Sequence, residues 1–504
     1  MDNTPFNDKS PDLWSRFETK RRSTRFSPSS ARQNPKFDWV LGAAVPFAVM
    51  VAAGLLISFP ADLRMEARVA LFCFVLATIL WSLTKLNAAF VALACALLLV
   101  VAGGAKQEAL FSSLASDVIW LMIGAFVLGG AVQKSGLAQR LTSAVVASPD
   151  GKPRSVGRIC WLITFLLLPL SCLIPSTSGR GAVVLPLFKS VASAAQNPKI
   201  TRALALLIPS IILVSTCSTL IGAGSHLIAN DLLENIAKER ISFAQWALWG
   251  VPFGVVASAI TCAAIQVLFL SPQNRALEIR VPDVEQQRRK PLSRDENFVL
   301  CVAGAMIVLW LSESWHGFEI ATVTIAGALI LMVPRWGVLS WKEGLKAVSW
   351  NLILFVGAAL VLGRALIETG AAKWIINTLF ALLGIDVNDS TLVLLLALSF
   401  LTLTSHIYMT SHAARAAALI PALLYLAQSL EISPVAVAFI ATVGMDYCLT
   451  FPVSSKALLM FQDLDGPTFE PGDLLKLSAL LIPVHLVLMV LFYFGYWQFV
   501  GLKL

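Results

Sequence analysis

Two arginines lie deep within apolar sequence, Arg180 in SCLIPSTSGRGAVVLP (171–186) and Arg415 in SHAARAAALIP (411–421). A guanidinium keeps its charge in such surroundings, and on insertion scales it costs about 2.5–3.5 kcal/mol at a helix centre. That cost is tolerated most readily where a counter-anion or water compensates it. Beside Arg180, the residues Ser176, Thr177 and Ser178 supply hydroxyl donors, and Pro175, Gly179 and Gly181 interrupt the helix. Beside Arg415 stand Ser411 and His412, with Thr404, Ser405, His406 and Thr410 just before them. Backbone N–H groups at a broken helix end, with the positive end of its dipole, suit a carboxylate or another oxyanion. Together these residues form a candidate substrate-binding set in which two arginines clamp the ends of a dianion. The alternative is that either arginine caps carbonyls at the break, or pairs with an acid such as Asp446, without touching substrate.

A third polar break, STCSTLIGAGSHLIAND at 215–231, has its counterpart in DYCLTFPVSSK at 446–456. Thr219, His226, Asp446, Ser454 and Ser455 are the candidates for a coupling ion or a proton, since a buried carboxylate or imidazole can carry one. Lys456 is the remaining ionisable group there, and an internal ion pair is the competing role. Lys134 and Glu368 read as interfacial anchors, and His316 and His485 receive no role. The eight cysteines are scattered through apolar runs without a CxxC, so they form neither a disulfide framework nor a metal site. No P-loop and no HExxH is present, which argues against ATP-driven transport by this chain and against an intramembrane metalloprotease.

The elements that must position these residues follow from composition. Of 504 residues 57% are apolar and 13% charged, with 38 Lys and Arg against 30 Asp and Glu for a net charge of +8. Mean hydropathy is +0.77. An ordinary soluble enzyme is excluded, and the positive excess points to loops against anionic lipid rather than to nucleic acid. Apolar runs long enough to span or half-enter a bilayer occur at 39–58, 67–83, 87–103, 118–134, 247–270, 298–312, 319–334, 351–368 and 475–500. The regions 157–238 and 390–462 are longer and interrupted, as re-entrant hairpins with polar tips would be. FVLGGAVQKSG (126–136) aligns with LVLGRALIETG (360–370) at an offset of 234, and STSGRGAVVLP (176–186) with SHAARAAALIP at an offset of 235. The chain is therefore an internal duplication.

The reading is an all-α polytopic membrane protein with about eleven crossings, in four parts. A basic cytoplasmic tail (1–36) precedes a first half (37–271), a cytoplasmic linker (272–297) and a second half (298–504), each half holding scaffold helices, a hairpin and a transport repeat. Basic loops at 134–158 and 199–202, with the tail and the linker, belong inside and put the C-terminus outside. The repeats then run in opposite directions. Inverted repeats with broken helices are the architecture of secondary transporters, with substrate near mid-membrane where the repeats meet.

At VIWLMIGAFVLGGAVQKSGL (118–137), STLIGAGSHLI (218–228), ISFAQWALWGVPFG (241–254) and the paired hairpin tips, the chain resembles the divalent anion:sodium symporters, which carry dicarboxylates, citrate or sulfate. The similarity runs from Phe37 onward. It implies a homodimer whose transport domains move like elevators against a scaffold, and sodium as coupling ion. The tips depart from the family's Ser-Asn-Thr, reading Ser176-Thr177-Ser178 and Ser411-His412-Ala413, with Arg180 and Arg415 where Thr is common. The Thr-Pro-Pro-Asn of the first broken helix is replaced by Ala223-Gly224-Ser225-His226. A guanidinium can replace a bound cation electrostatically. The expectation is a secondary active transporter in the cell (inner) membrane for a small divalent anion, a dicarboxylate first and sulfate or another oxyanion second, without cofactor and without the usual sodium requirement. An anion channel, or an ion antiporter of related architecture, is the alternative.

Overall fold

Several helices begin where an apolar run is preceded by a residue that takes up unpaired N–H groups of the first turn, as Asn87, Ser155 and Ser242 do. In the computed structural model the described residues are 63–84, 86–146, 152–281, 291–372, 374, 391–464 and 466–504. The tail (1–36) and the first apolar run (39–58) lie outside them, as does 282–290 of the linker.

The first half contains α1 (Met65–Leu83), α2 (Ala88–Val101), α3 (Asp117–Ser135) and α4 (Leu137–Val146). A hairpin follows, α5 (Val156–Leu173) and α6 (Thr177–Ala195), and then α7 (Pro198–Val214). Beyond α7 the chain passes through 3₁₀ turns at Ser215–Ser218 and Leu220–Gly222 before α8 (Gly224–Ala237) and α9 (Phe243–Phe269). The second half repeats this order with α10 (Arg294–Leu311), α11 (Ile320–Leu331), the short α12 (Trp341–Ala347) and α13 (Trp350–Glu368). Its hairpin is α14 (Thr391–Tyr408) and α15 (His412–Ser429). Then come α16 (Pro434–Asp446), a 3₁₀ turn at Pro452–Ser454, α17 (Lys456–Gln462) and α18 (Pro471–Gly495). Element for element, α5 to α9 reappear as α14 to α18, so the duplication read from two short motifs extends through the interrupted regions.

Among the described residues eight helices are long and apolar enough to cross a membrane, and α2, α11 and α16 are shorter apolar helices. The span that begins α7 is 94% buried, whereas those of α1 and α14 are one-third buried. Beyond its basic first turn α7 is apolar almost all round, and it lies at the centre of the protein, packed by α5, α6, α9 and α17.

Caps set the boundaries that matter. The Ser155 hydroxyl accepts from Arg158 N at the start of α5, Ser176 from Gly179 N at α6, Ser411 from Ala414 N at α15 and Ser455 from Ala457 N at α17. Residues just outside the helices join the two halves' loops. β1 (Arg154–Ser155) pairs antiparallel with β2 (Glu278–Ile279), so the basic loop before α5 meets the linker. Lys134, at the end of α3, is 2.7 Å from Glu343 of α12, a connector between α11 and α13. That hydrogen bond holds the Glu343 carboxyl down to about 2.

Candidate functional site

The site begins where helices fail. Pro175 interrupts the first hairpin between α5 and α6, and its tip residues Ser176, Thr177 and Ser178 are half-buried, with Ser176 Oγ 3.2 Å from Ser178 Oγ. In the second hairpin Ser411 and His412 hold the same places. One turn into each following helix lies an arginine, Arg180 on α6 and Arg415 on α15, both with no exposed surface.

The two arginines are not treated alike. Arg180 Nη2 donates to Thr216 Oγ1 at 2.9 Å and to the Gly222 carbonyl at 3.1 Å, while its Nε and Nη1 have no partner. For Arg415, none of Nε, Nη1 and Nη2 donates to an oxygen, and the neighbouring Cys448 thiol is a weak partner at best. A buried donor left unmade costs about 1–3 kcal/mol, and more when charged. The inequality is written in the repeats: Thr216 falls opposite Tyr447 when Cys217 is set against Cys448, and the Tyr447 hydroxyl is turned away to Ser478 at 3.1 Å.

Asp446, a possible partner for either arginine, is taken up elsewhere. Its Oδ2 is 2.8 Å from His226 Nε2, and its Oδ1 is unpartnered, 3.9 Å from His412 Nδ1. His226 is fully buried, has Nδ1 2.9 Å from the Thr219 carbonyl and stacks on the Trp246 indole at 4.8 Å between centroids. His412 faces Arg180, Arg415, His226 and His406, and its Nε2 is 3.1 Å from Cys448 Sγ. The second tip, the arginines that follow both tips and residues of both breaks thus come together around Asp446 and His412, whereas the hydroxyls of the first tip bond only within it. Unpartnered hydroxyls of Ser218, Ser225 and Ser454 add neutral donors at the same breaks.

Not every candidate residue contributes a free group. The Thr219 hydroxyl donates to the Ser171 carbonyl at 3.2 Å, Ser455 is spent as a cap, and Lys456 and Glu368 are exposed. Thr216, Gly222 and Trp246 were not singled out from sequence, although Trp246 lies in ISFAQWALWGVPFG and marks the helix that carries the break. On α9, Trp246, Gly250 and Gly254 recur every four residues and so share one face. Trp246 Nε1 donates to the Cys217 carbonyl at 3.0 Å. A Cβ on Gly250 would meet that carbonyl, and one on Gly254 would meet the Ser218 side chain. The small-residue face lets the 215–218 turn lie directly on α9.

A second buried network lies beside the first. His406 Nε2 is 2.6 Å from Thr450 Oγ1, which is 2.6 Å from Ser478 Oγ, and His485, unassigned from sequence, packs edge-on to Tyr447 with its Nε2 unpartnered.

A sodium ion asks for several oxygen ligands, as hard cations do. At the first break those oxygens already accept from nitrogen: Gly222 O and Thr216 Oγ1 from Arg180, and Thr219 O from the His226 ring. Arg180 and His226 thereby compete with a sodium ion for three oxygens of this break. Among the described residues no group of three or more His, Cys, Asp or Glu is placed to hold a metal.

Three relatives share about a quarter of their residues with this chain. A membrane protein of Cupriavidus necator is 26% identical over 393 residues, 76% of this chain and 74% of the relative. A citrate/succinate antiporter of Escherichia coli K12 is 24% identical, covering 71% and 75%, and a sodium-dependent dicarboxylate transporter, SdcS, of Staphylococcus saprophyticus is 24% identical, covering 76% and 78%. Among solved structures, the YdaH transporter of Alcanivorax borkumensis, described as having an unusual topology, shares the fold with a TM-score of 0.54 at 17% identity over 76% of this chain and 86% of that one. The profile of the sodium:sulfate symporter transmembrane region matches residues 39–503, and the chain belongs to that family.

Proposed function

We propose that the protein is a secondary transporter of a small dianion, a dicarboxylate in preference to sulfate, held between Arg180 and Arg415. The observation that carries this reading is the Arg415 guanidinium, fully buried with no oxygen acceptor on any nitrogen and only the Cys448 thiol beside it as a weak partner. A carboxylate would supply the missing acceptors, and a second one would reach the free Nε and Nη1 of Arg180. Helices α6, α8 and α15 all start at the site, so their N-terminal dipoles add to the attraction. The names of the Escherichia coli and Staphylococcus relatives favour dicarboxylates.

In this reading the N-terminus is cytoplasmic and the C-terminus outside. Each half contributes a hairpin and a transport repeat that move together against the scaffold helices of a homodimer, as the family resemblance implies. Calorimetric titration of purified protein with succinate and with sulfate tests it. Arg415→Gln should weaken dianion binding by roughly 30-fold or more, the scale of about 2–5 kcal/mol for a truncated buried charge contact. Unchanged affinity in both Arg415→Gln and Arg180→Gln would return the arginines to a structural role. Saturable counterflow in proteoliposomes marks a carrier; unitary currents would mark a channel instead.

A further inference from the structure

We infer that the ion coupled to transport is a proton, held between His226 and Asp446 where the family resemblance places the sodium-binding break. The inference rests on the anion-transporter reading above. His226 Nδ1 is 2.9 Å from the Thr219 carbonyl, which only accepts, so Nδ1 carries a hydrogen. Nε2 is 2.8 Å from Asp446 Oδ2. With Nδ1–H fixed, the contact between Nε2 and Oδ2 requires one more proton, on nitrogen as imidazolium or on oxygen as carboxylic acid. Either form leaves the pair without net charge. Removing that proton sets a nitrogen lone pair against a carboxylate in a place without solvent, with His226 fully buried and Asp446 2% exposed.

The surrounding charges give the proton a consequence. Arg180 on α6, Arg415 and His412 on α15, Cys217 in the 215–218 turn and Cys448 after α16 face Asp446. His406 on α14 faces His412, and α9 presents the uncharged Trp246 to His226. Between Asp117 and Lys134, α3 has no titratable side chain, and Arg364 of α13 is drawn 3.6 Å from Asp231, further along α8. With the proton in place, both guanidinium charges are available to a dianion. Without it, Asp446 cancels one of them. Proton and dianion therefore bind as partners, each strengthening the other by linkage. One proton is taken from the side where the dianion enters and released with it on the other; no bond beyond the N–H or O–H is made or broken.

The test uses sodium-free proteoliposomes containing a pH-sensitive dye, with succinate added outside above pH 7. The expected result is acidification of the lumen as succinate enters, and accumulation driven by a more acidic exterior and abolished by a protonophore. Calorimetry should show Kd rising by up to tenfold per pH unit on the alkaline side, the limit for one linked proton. His226→Gln and Asp446→Asn should each remove this pH dependence of binding. Accumulation without acidification, a strict sodium requirement, or the same pH dependence in both variants would overturn the inference while leaving the anion reading intact. Failure of the wild-type protein to bind succinate or sulfate would overturn the anion reading itself. Should both variants fail to fold, the wild-type dye and gradient measurements still decide whether a proton moves.

Discussion

At the scale of single residues, Arg415 is an unfinished interaction. Breaking a buried pair leaves an uncompensated charge that costs about 3–5 kcal/mol, and an arginine without a counter-ion is in that condition before anything binds. Replacing it should therefore have opposite effects on stability and affinity. In the absence of anion, Arg415→Gln should melt at or above the wild-type temperature, and the wild-type protein alone should gain stability as succinate is added. A variant that melts lower without anion would show that Arg415 is structural. The existence of both arginines was legible in the sequence, because charge inside an apolar run is rare and this one is duplicated. Their inequality was not legible, since it depends on where the Thr216 and Tyr447 hydroxyls turn. Nor was the His226–Asp446 pair, whose members are 220 positions apart and sit at non-equivalent places in the two repeats.

At the scale of elements, the broken helix after α7 is held by a neighbour as well as by its own turn hydrogen bonds, such as Gly222 N to the Thr219 carbonyl. The face of α9 bearing Trp246, Gly250 and Gly254 receives the 215–218 turn, and that turn supplies Thr216 to Arg180. Gly254→Val should force the turn away from α9 and destabilise the protein by about 1–3 kcal/mol, the usual range for overpacking. Dianion affinity should fall with it, although residue 254 touches no charged group; a thermal melt together with calorimetry checks both. Normal melting and normal binding would mean that α9 yields without disturbing the break. Hairpins and breaks could be placed from Pro, Gly and Ser within apolar runs, because those residues interrupt helices wherever they occur. The helix that supports a break could not, since a small-residue face is equally good at packing any partner.

At the scale of the whole molecule, the proposed site takes different parts from two similar stretches of chain. The first half gives a tethered arginine and an imidazole, the second a free arginine and a carboxylate. If the halves are inverted and the basic loops face the cytoplasm, the C-terminus after α18 lies outside. A reporter enzyme active only outside the cytoplasm should then be active when fused after Leu504, and a cytoplasm-dependent fluorescent reporter should be dark; the reverse pattern would mean an even number of crossings. The small ladder of β1 and β2 has a further meaning. It joins residue 154 to residue 279, so the segment from α5 to α9 starts and ends at the same point. During synthesis, with amino-terminal parts folding first, this segment can close on itself before α10 is made. Arg180, Thr216 and Gly222 all lie inside it, and so their hydrogen bonds can be in place while Asp446 has yet to be translated. If the segment closes in this way, the newborn protein passes through a stage holding half of the proposed site, and the arrival of α16 brings Asp446 to His226.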